Sequence, residues 1–416
     1  MTDVQHSSAP IALDVTGADI PGEAARLRER GPLVPVSLPG GVRAWGVTDP
    51  QLLRELFVDW RVSKDAARHW PPFVAGEIPP DWPLISWVSV RNMFTAYGKD
   101  HQRLRKLVGP AFSARRVDAL RPQIRGIVTE LLDGLAERPV ADLREEFAAQ
   151  VPLRVISALM GVPVDLRDGL RVCVDELFAT VPGRDPRATL AEMVSILTTL
   201  VARRRAEPGE DMTSLLISRR AEDADRLTEE ELIHTLLLVI SAGYQTTVDL
   251  LDQAICQVLT RPGLLTRLRV GAFGWSQLIE ETLRYAPPVA NLPLRYAVVD
   301  IDVAGTRIKA GEAILACFAA ANRDHGLYGD DADEFDPARS TKEHLSFGYG
   351  PHFCLGAPLA RLEAAVALPA LFRRFPGMAL AVAPEALEPL PSFISHGHRR
   401  LPVHLDGAGS AGQAGG

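Results

Sequence analysis

Cysteine is scarce in this chain. There are four among 416 residues, Cys173, Cys256, Cys317 and Cys354, and none is spaced as Cys-x-x-Cys, which argues against both a zinc cluster and a disulfide framework. Long apolar runs are missing too. Nothing reaches the roughly 18 consecutive apolar residues that a membrane span needs. The first twenty residues hold Asp3, Asp14 and Asp19 and no apolar core, so no secretory signal is read and a cytoplasmic protein is expected. Positive charge is not in excess: the formal net charge is -7 and the pI near 5.9, so no global footprint for nucleic acid exists. No Gly-x-Gly-x-x-Gly dinucleotide turn and no iron–sulfur spacing is present. No internal repeat or Pro/Gly/Ser-rich linker divides the middle. One domain over 21–405 is expected, with 1–20 and 406–416 too polar and small-sided to pack.

What remains is an ordinary globular composition, 47% hydrophobic and 23% charged, arranged around Ser346-Phe-Gly-Tyr-Gly-Pro-His-Phe-Cys-Leu-Gly-Ala-Pro-Leu-Ala-Arg361. Gly348 and Gly350 allow a tight turn with close approach of a flat partner. The run Leu359 to Leu371 then reads as an apolar helix whose first amides and dipole favour thiolate at Cys354. A lone cysteine is also, on residue type alone, a small buried hydrophobe or a nucleophile. A sheltered thiolate beside Phe347 also suits an axial ligand to haem iron, a minority reading for a cysteine taken alone.

Upstream, Gly22 to Arg30 reads as a helix, and Val34–Leu38 and Val42–Val47 as strands joined at Pro39-Gly-Gly41. Trp60 to Ala96 gathers prolines and aromatics without a period, including Trp70, Phe73, Trp82, Trp87 and Phe94, and is expected to be a substrate-facing lid. His101 and Arg105 share one helical face. Residues 117–220 read as several amphipathic helices. Leu227 to Thr260 reads as one long helix, N-capped by Thr228 with Glu229, Glu230 and Glu231 after it. In its centre, Gly243 costs about 1 kcal/mol relative to alanine, which a flat cofactor with a local widening of the helix would explain. Thr246 lies on the same face. Ser276–Tyr285 is a short helix stopped by Pro287-Pro288, with Glu281 and Arg284 set for a pair. Val298 to Phe318 reads as a small sheet, and Pro391–His398 as a hairpin tip.

The string Phe347-Gly-Tyr-Gly-Pro-His-Phe-Cys-Leu-Gly356 resembles the Phe-Gly-x-Gly-x-His-x-Cys-x-Gly signature of the cytochrome P450 superfamily. Three weaker strings stand in that family's order: His101-x-x-x-Arg105, Ala242-Gly243-x-x-Thr246 and Glu281-x-x-Arg284. The resemblance implies a mainly α fold with a minor β region and a long central helix over haem b. It implies Cys354 as iron ligand, with Phe347, Gly348, Ala242 and Gly243 against the cofactor, and His101, Arg105, Arg295 and His352 on its propionates. Thr246 and Gln245 would handle dioxygen and its protons. Gln245 departs from the family, which usually has a carboxylate there. An amide orients water but cannot release a proton. Arg339 is the expected third member of the Glu281–Arg284 node.

The pocket wall is expected to include Trp87, Val239, Tyr244, Val289, Leu292, Leu294, Phe393 and Ile394. The implied partners are dioxygen, an apolar or aromatic natural-product-like substrate, and a ferredoxin or flavodoxin with an NAD(P)H-dependent reductase, docking near Arg103, Lys106, Arg115 and Arg116. The protein is expected to be a monomer. Oxygen insertion is the main expectation. Oxidative C–C or C–N coupling at the same haem, or haem binding without turnover, are the alternatives.

Overall fold

The computed structural model describes residues 9–406 apart from 182, 184 and 223–225, with side chains 219–222 also undescribed. Ten of the helices among the described residues carry the architecture: α1 (Ile20–Glu29), α2 (Pro50–Val58), α3 (Gly98–Val108), α4 (Arg121–Leu135), α5 (Gln150–Met160), α6 (Val164–Phe178), α7 (Pro186–Ala206), α8 (Glu229–Thr260), α9 (Trp275–Tyr285) and α10 (Ala357–Arg374). No helix among the described residues is long and apolar enough to cross a membrane.

Among the described residues, eleven short strands form three sheets. The largest has the order β1 (Ile11–Ala12), β2 (Leu33–Ser37), β3 (Arg43–Val47), β9 (Ala313–Cys317), β6 (Asn291–Ala297) and β4 (Val62–Ser63). β7 (Ile301–Val303) pairs with β8 (Thr306–Ile308), and β11 (Pro402–His404) lies between β10 (Ala379–Leu380) and β5 (Val140–Asp142). The chain is therefore mainly helical with a minor β portion.

The N-terminal segment corrects the sequence reading. Ile11 and Ala12 pair in parallel with Val36 and Ser37, and Leu13 is buried, because alternating apolar residues there complete a sheet edge. Packing begins near residue 9, before the expected residue 21. Residues 1–8 and the tail from 407 lie outside the described residues.

α8 organises the core. Thr228 Oγ1 accepts from the Glu231 amide while Glu231 returns a bond to the Thr228 amide, a reciprocal cap. Its 32 residues span about 48 Å at 1.5 Å each. It packs against α5, α7, α9 and α10. The helix is α throughout, so the local widening expected at Gly243 is not there. A Cβ at position 243 would lie 2.9 Å from Ile156 Cδ1 of α5. Close crossing of α5 and α8 accounts for the glycine.

Glu281 and Arg284, each 1% exposed in the side chain, form a two-bonded pair at 2.7 and 2.9 Å. The pair survives burial because every remaining donor has a partner. Arg284 also donates to the carbonyls of Asn322, Ala332 and Glu334, and Glu281 accepts from the Asp336 amide. Arg339 Nε lies 3.7 Å from Glu281 while Arg339 Nη1 donates to Asp331. Asn322 continues outward, accepting from the Leu345 amide and donating to Ser346 Oγ, which in turn donates to the Leu283 carbonyl. That chain of bonds fixes the start of the cysteine loop.

Candidate active site

Two left-handed glycines shape the loop. Gly348 has φ +71° and Gly350 φ +69°, a region closed to most side chains. A Cβ on Gly350 would also stand 2.7 Å from Val58 Cγ1. The turn closes through the Cys354 amide on the Phe347 carbonyl, 2.9 Å, and the Phe353 amide on the Gly350 carbonyl, 3.0 Å. Arg105 Nη2 donates to the Phe353 carbonyl at 2.7 Å. The sulfur is thus placed by backbone bonds and by the entry of α10.

The thiol feels opposing influences. Crowding by the surrounding protein pushes its pKa up, against the pull of the Gly356 and Ala357 amides and of the Arg105 and Arg361 charges. Beside the loop, Glu280 is held at about 2: burial works against its charge, and bonds from Arg361 and His344 overcome it. The Arg361 guanidinium also lies 4.5 Å from the Phe347 ring centroid.

Cys354 opens onto a cavity of about 280 Å³ between α8 and the loop. Its lining includes Ala242, Gly243, Thr246, Val239, Phe347, Gly348, His352, Trp87, Val289, Leu292, Arg105 and Arg295. These expected residues converge. Thr246 Oγ1 donates to the Ala242 carbonyl at 2.6 Å, the usual resting bond of a helical threonine.

Six expected residues do not line it: His101 stands against His352 instead, with ring centroids 3.9 Å apart, and five others point elsewhere. Helical phase removes Tyr244 and Gln245: two residues from Thr246 is 200° and one is 100° around the axis. Tyr244 instead bonds Arg171, and Gln245 bonds Asp249. Leu294 is displaced by a register shift between Leu292 and Arg295. The extra residue puts Leu292 and Arg295 on one face and turns Leu294 into the core. Phe393 and Ile394 are fully buried in the hairpin, whose backbone is held by Thr180, Asn291 and Ala290.

The aromatic stretch divides likewise. Trp70 is 2% exposed and stacks on Tyr296 at 5.2 Å and on Phe73 at 6.1 Å, and the Trp82 indole donates to the Pro39 carbonyl. They are core. Only Trp87 and Phe94 of the named aromatics reach the cavity, with Phe178 against Trp87.

The polar end of the cavity has an unbalanced charge. His101 and His352 face each other with ring centroids 3.9 Å apart. Burial, then Arg105 and Lys64, lowers His101 to about 4, and burial with four neighbouring bases lowers His352 as well. Burial lowers Arg295 to about 9. His101 Nε2 and Arg295 Nη1 are buried without a hydrogen-bond partner. Among the described residues no carboxylate is within ion-pair reach of Arg105, Arg295 or Lys64. Such a donor set lacks its anion, and the two propionates of haem b fit it. Lys64 was missed from the sequence, where Val62-Ser-Lys-Asp65 carries no signal of burial. Glu363, buried with one oxygen unpartnered, was missed too. Arg103, expected with Lys106, Arg115 and Arg116 to dock the electron carrier, pairs with Glu231.

A thiol-bearing loop opposite a threonine on a long helix, with cations awaiting two carboxylates, defines a haem-thiolate oxidase. Comparison with known proteins agrees. Residues 275–387 match the family model described as cytochrome P450. The chain is 42% identical over 406 residues to the 2-hydroxy-5-methyl-1-naphthoate 7-hydroxylase of Streptomyces carzinostaticus, covering 97% of this chain and 99% of that one. It is 37% identical over 392 residues to the 6-deoxyerythronolide B hydroxylase of Saccharopolyspora erythraea, covering 92% and 95%. Among solved structures, CYP154A1 from Streptomyces coelicolor A3(2) superposes with a TM-score of 0.91 at 54% identity, covering 95% of this chain and all of that one. The chain belongs to the cytochrome P450 family. It is a haem-dependent monooxygenase that draws on dioxygen and on a redox partner.

Proposed function

We propose that this enzyme hydroxylates an apolar, aromatic natural product, a fused-ring polyketide acid being the class its naphthoate-acting relative supports. The observation that carries the reading is the cavity itself: Cys354 on one side, Thr246 on the other, and an apolar wall of Trp87, Phe94, Phe178, Val239, Val289 and Leu292 between. Haem bound there supplies the dioxygen-activating chemistry, with the sulfur donating electron density to the metal.

The chain's own residues do the rest. Cys354 is presented by the Gly348–Gly350 turn, and His101, His352, Arg105 and Arg295 hold the cofactor's carboxylates. The Thr246 hydroxyl can exchange the Ala242 carbonyl for a water or an incoming ligand and pass a proton at Oγ1. Gln245 takes no direct part, since its amide is committed to Asp249. Apolar walls exclude bulk water and keep the substrate against the open face of the cavity.

The electron carrier is a ferredoxin or flavodoxin served by an NAD(P)H-dependent reductase. Exposed Tyr349 and Phe353 of the cysteine loop, with Lys106, Arg115 and Arg116 exposed nearby in sequence to α3, support docking of an acidic carrier there. The enzyme works as a cytoplasmic monomer. The test is spectroscopic and chemical. Reduced protein under carbon monoxide shows the thiolate–haem band, and Cys354→Ala loses it. Turnover of a hydroxynaphthoate under labelled dioxygen gives product carrying one labelled oxygen. Unlabelled product defeats the hydroxylase reading.

A further inference from the structure

Lys64 stands at the edge of β4, where Val62 pairs with Ala297 and Ser63 with Tyr296 of β6. Continuing that register by one residue sets Lys64 opposite Arg295. Like charges directly opposite across a strand pair are destabilising, and these two are 3% and 4% exposed. Neither is screened by bulk water.

No carboxylate among the described residues pairs with either of them. Lys64 Nζ has one long hydrogen bond, 3.4 Å to the Leu294 carbonyl, and sits 3.7 Å from the centroid of the Phe94 ring. Arg295 lies over the Phe57 ring at 3.7 Å and leaves Nη1 unpartnered. Asp65, next in sequence, is committed to the Arg68 amide and lies 4.0 Å from the Arg68 guanidinium. Both cations border the cavity. The bulge that turns Leu294 inward also brings Arg295 to that wall. A buried pair of cations with one open side is a site for an anion that bonds to both.

We propose that Lys64 and Arg295 clamp a single carboxylate at the wall of the cavity, making Lys64 a ligand-holding residue of this enzyme. The inference rests on the haem-monooxygenase reading above. Two carboxylates can reach the place, a propionate of the haem and an acid group on the substrate. His352 on the same cavity wall, with His101 against it, favours the propionate.

The test uses the holoenzyme and its Lys64→Met and Lys64→Arg variants, with far-ultraviolet circular dichroism as a control for folding. Two quantities are measured: the rate of haem transfer to apomyoglobin, and the dissociation constants of 2-hydroxy-1-naphthoate and its methyl ester read from the haem absorption shift. Loss of one charge-assisted bond predicts haem transfer about tenfold faster in Lys64→Met, restored towards wild type by Lys64→Arg, with both naphthoate constants unchanged. Unaltered haem transfer with a weakening of about tenfold for the acid but not the ester assigns the clamp to the substrate's carboxylate and also supports the proposal. Neither change in a folded, haem-loaded Lys64→Met overturns it. A wild-type protein without the thiolate–haem band would sink the functional reading instead, so the two failures are told apart.

Discussion

Gln245 and Asp249 sit one turn apart on α8, and the Gln245 amide donates to both Asp249 oxygens at 3.1 and 3.2 Å, on the side of the helix turned from the cavity. Asp249 is fully buried, which pushes its pKa up to about 6 against the pull of Arg144. The amide is therefore the neutral neighbour that lets a buried carboxylate stay charged.

Gln245→Glu places a further carboxylate against Asp249, which already shares Arg144 with Asp252. Two such groups share a proton, and both are raised above their unfolded values. An acid raised on folding penalises the native state increasingly as pH climbs from its unfolded value through its folded one. The variant should melt several degrees below wild type at pH 8 and closer to it at pH 5. Product formed per NADPH should not change, because the side chain faces away from the reacting centre. A large change in that ratio at equal stability would contradict the placement.

Thr246 gives the opposite pattern. Thr246→Ala should fold and bind haem normally, yet form product with a yield per NADPH lower by about fivefold or more, the balance appearing as hydrogen peroxide. Thr246→Ser should recover most of the yield. Equal yields in all three would remove the hydroxyl from proton handling.

Gly243 offers a packing test. Gly243→Ala gains about 1 kcal/mol of helix propensity and loses about 1–3 kcal/mol to overlap with Ile156, whose Cδ1 would be 2.9 Å away. Ile156→Val removes that carbon. The double variant should therefore be more stable than the two single changes predict, measured as a double-mutant cycle in urea. Additive values would return the glycine to a role against the cofactor.

His398 links the C-terminal hairpin to α8. Its Nδ1 lies 2.9 Å from Asp252, its backbone amide donates to the same oxygen, and Cys256 Sγ is 3.9 Å from Nε2. Burial opposes its charge, but Asp252 and Cys256 outweigh this and raise its pKa to about 10. A histidine raised on folding contributes fully below its unfolded value and loses that contribution as pH rises through the folded one. His398→Gln should thus lower the melting temperature by about 5 °C near pH 6, with the deficit shrinking towards pH 10. A deficit independent of pH would leave only the hairpin contact.

Much of this was legible in the sequence because local chemistry dictated it. The two glycines before Cys354, the Thr228 cap and the Glu281–Arg284 spacing each fix geometry within a few residues. What failed depended on distant partners. Helical phase alone would have excluded Tyr244, but Leu294 needed the bulge in β6, and Phe393 needed the hairpin to be seen docked on Thr180 and Asn291. Lys64 was invisible, since a lysine after a two-residue strand reads as surface until its cross-strand neighbour is known to be an arginine. Val34–Val47 and the helix from Thr228 behaved as their patterns predict, and the aromatic stretch did so only past Trp82.

The Trp82 indole tied to the Pro39 carbonyl, with Trp70 stacked on Tyr296, has a practical meaning for anyone who would retune this catalyst. Diversity introduced at 66–84 would be spent on the foundations and returned mostly as insoluble protein. The same effort placed between Ser86 and Phe94, and at Leu292, would alter what the catalyst accepts while its walls still stand.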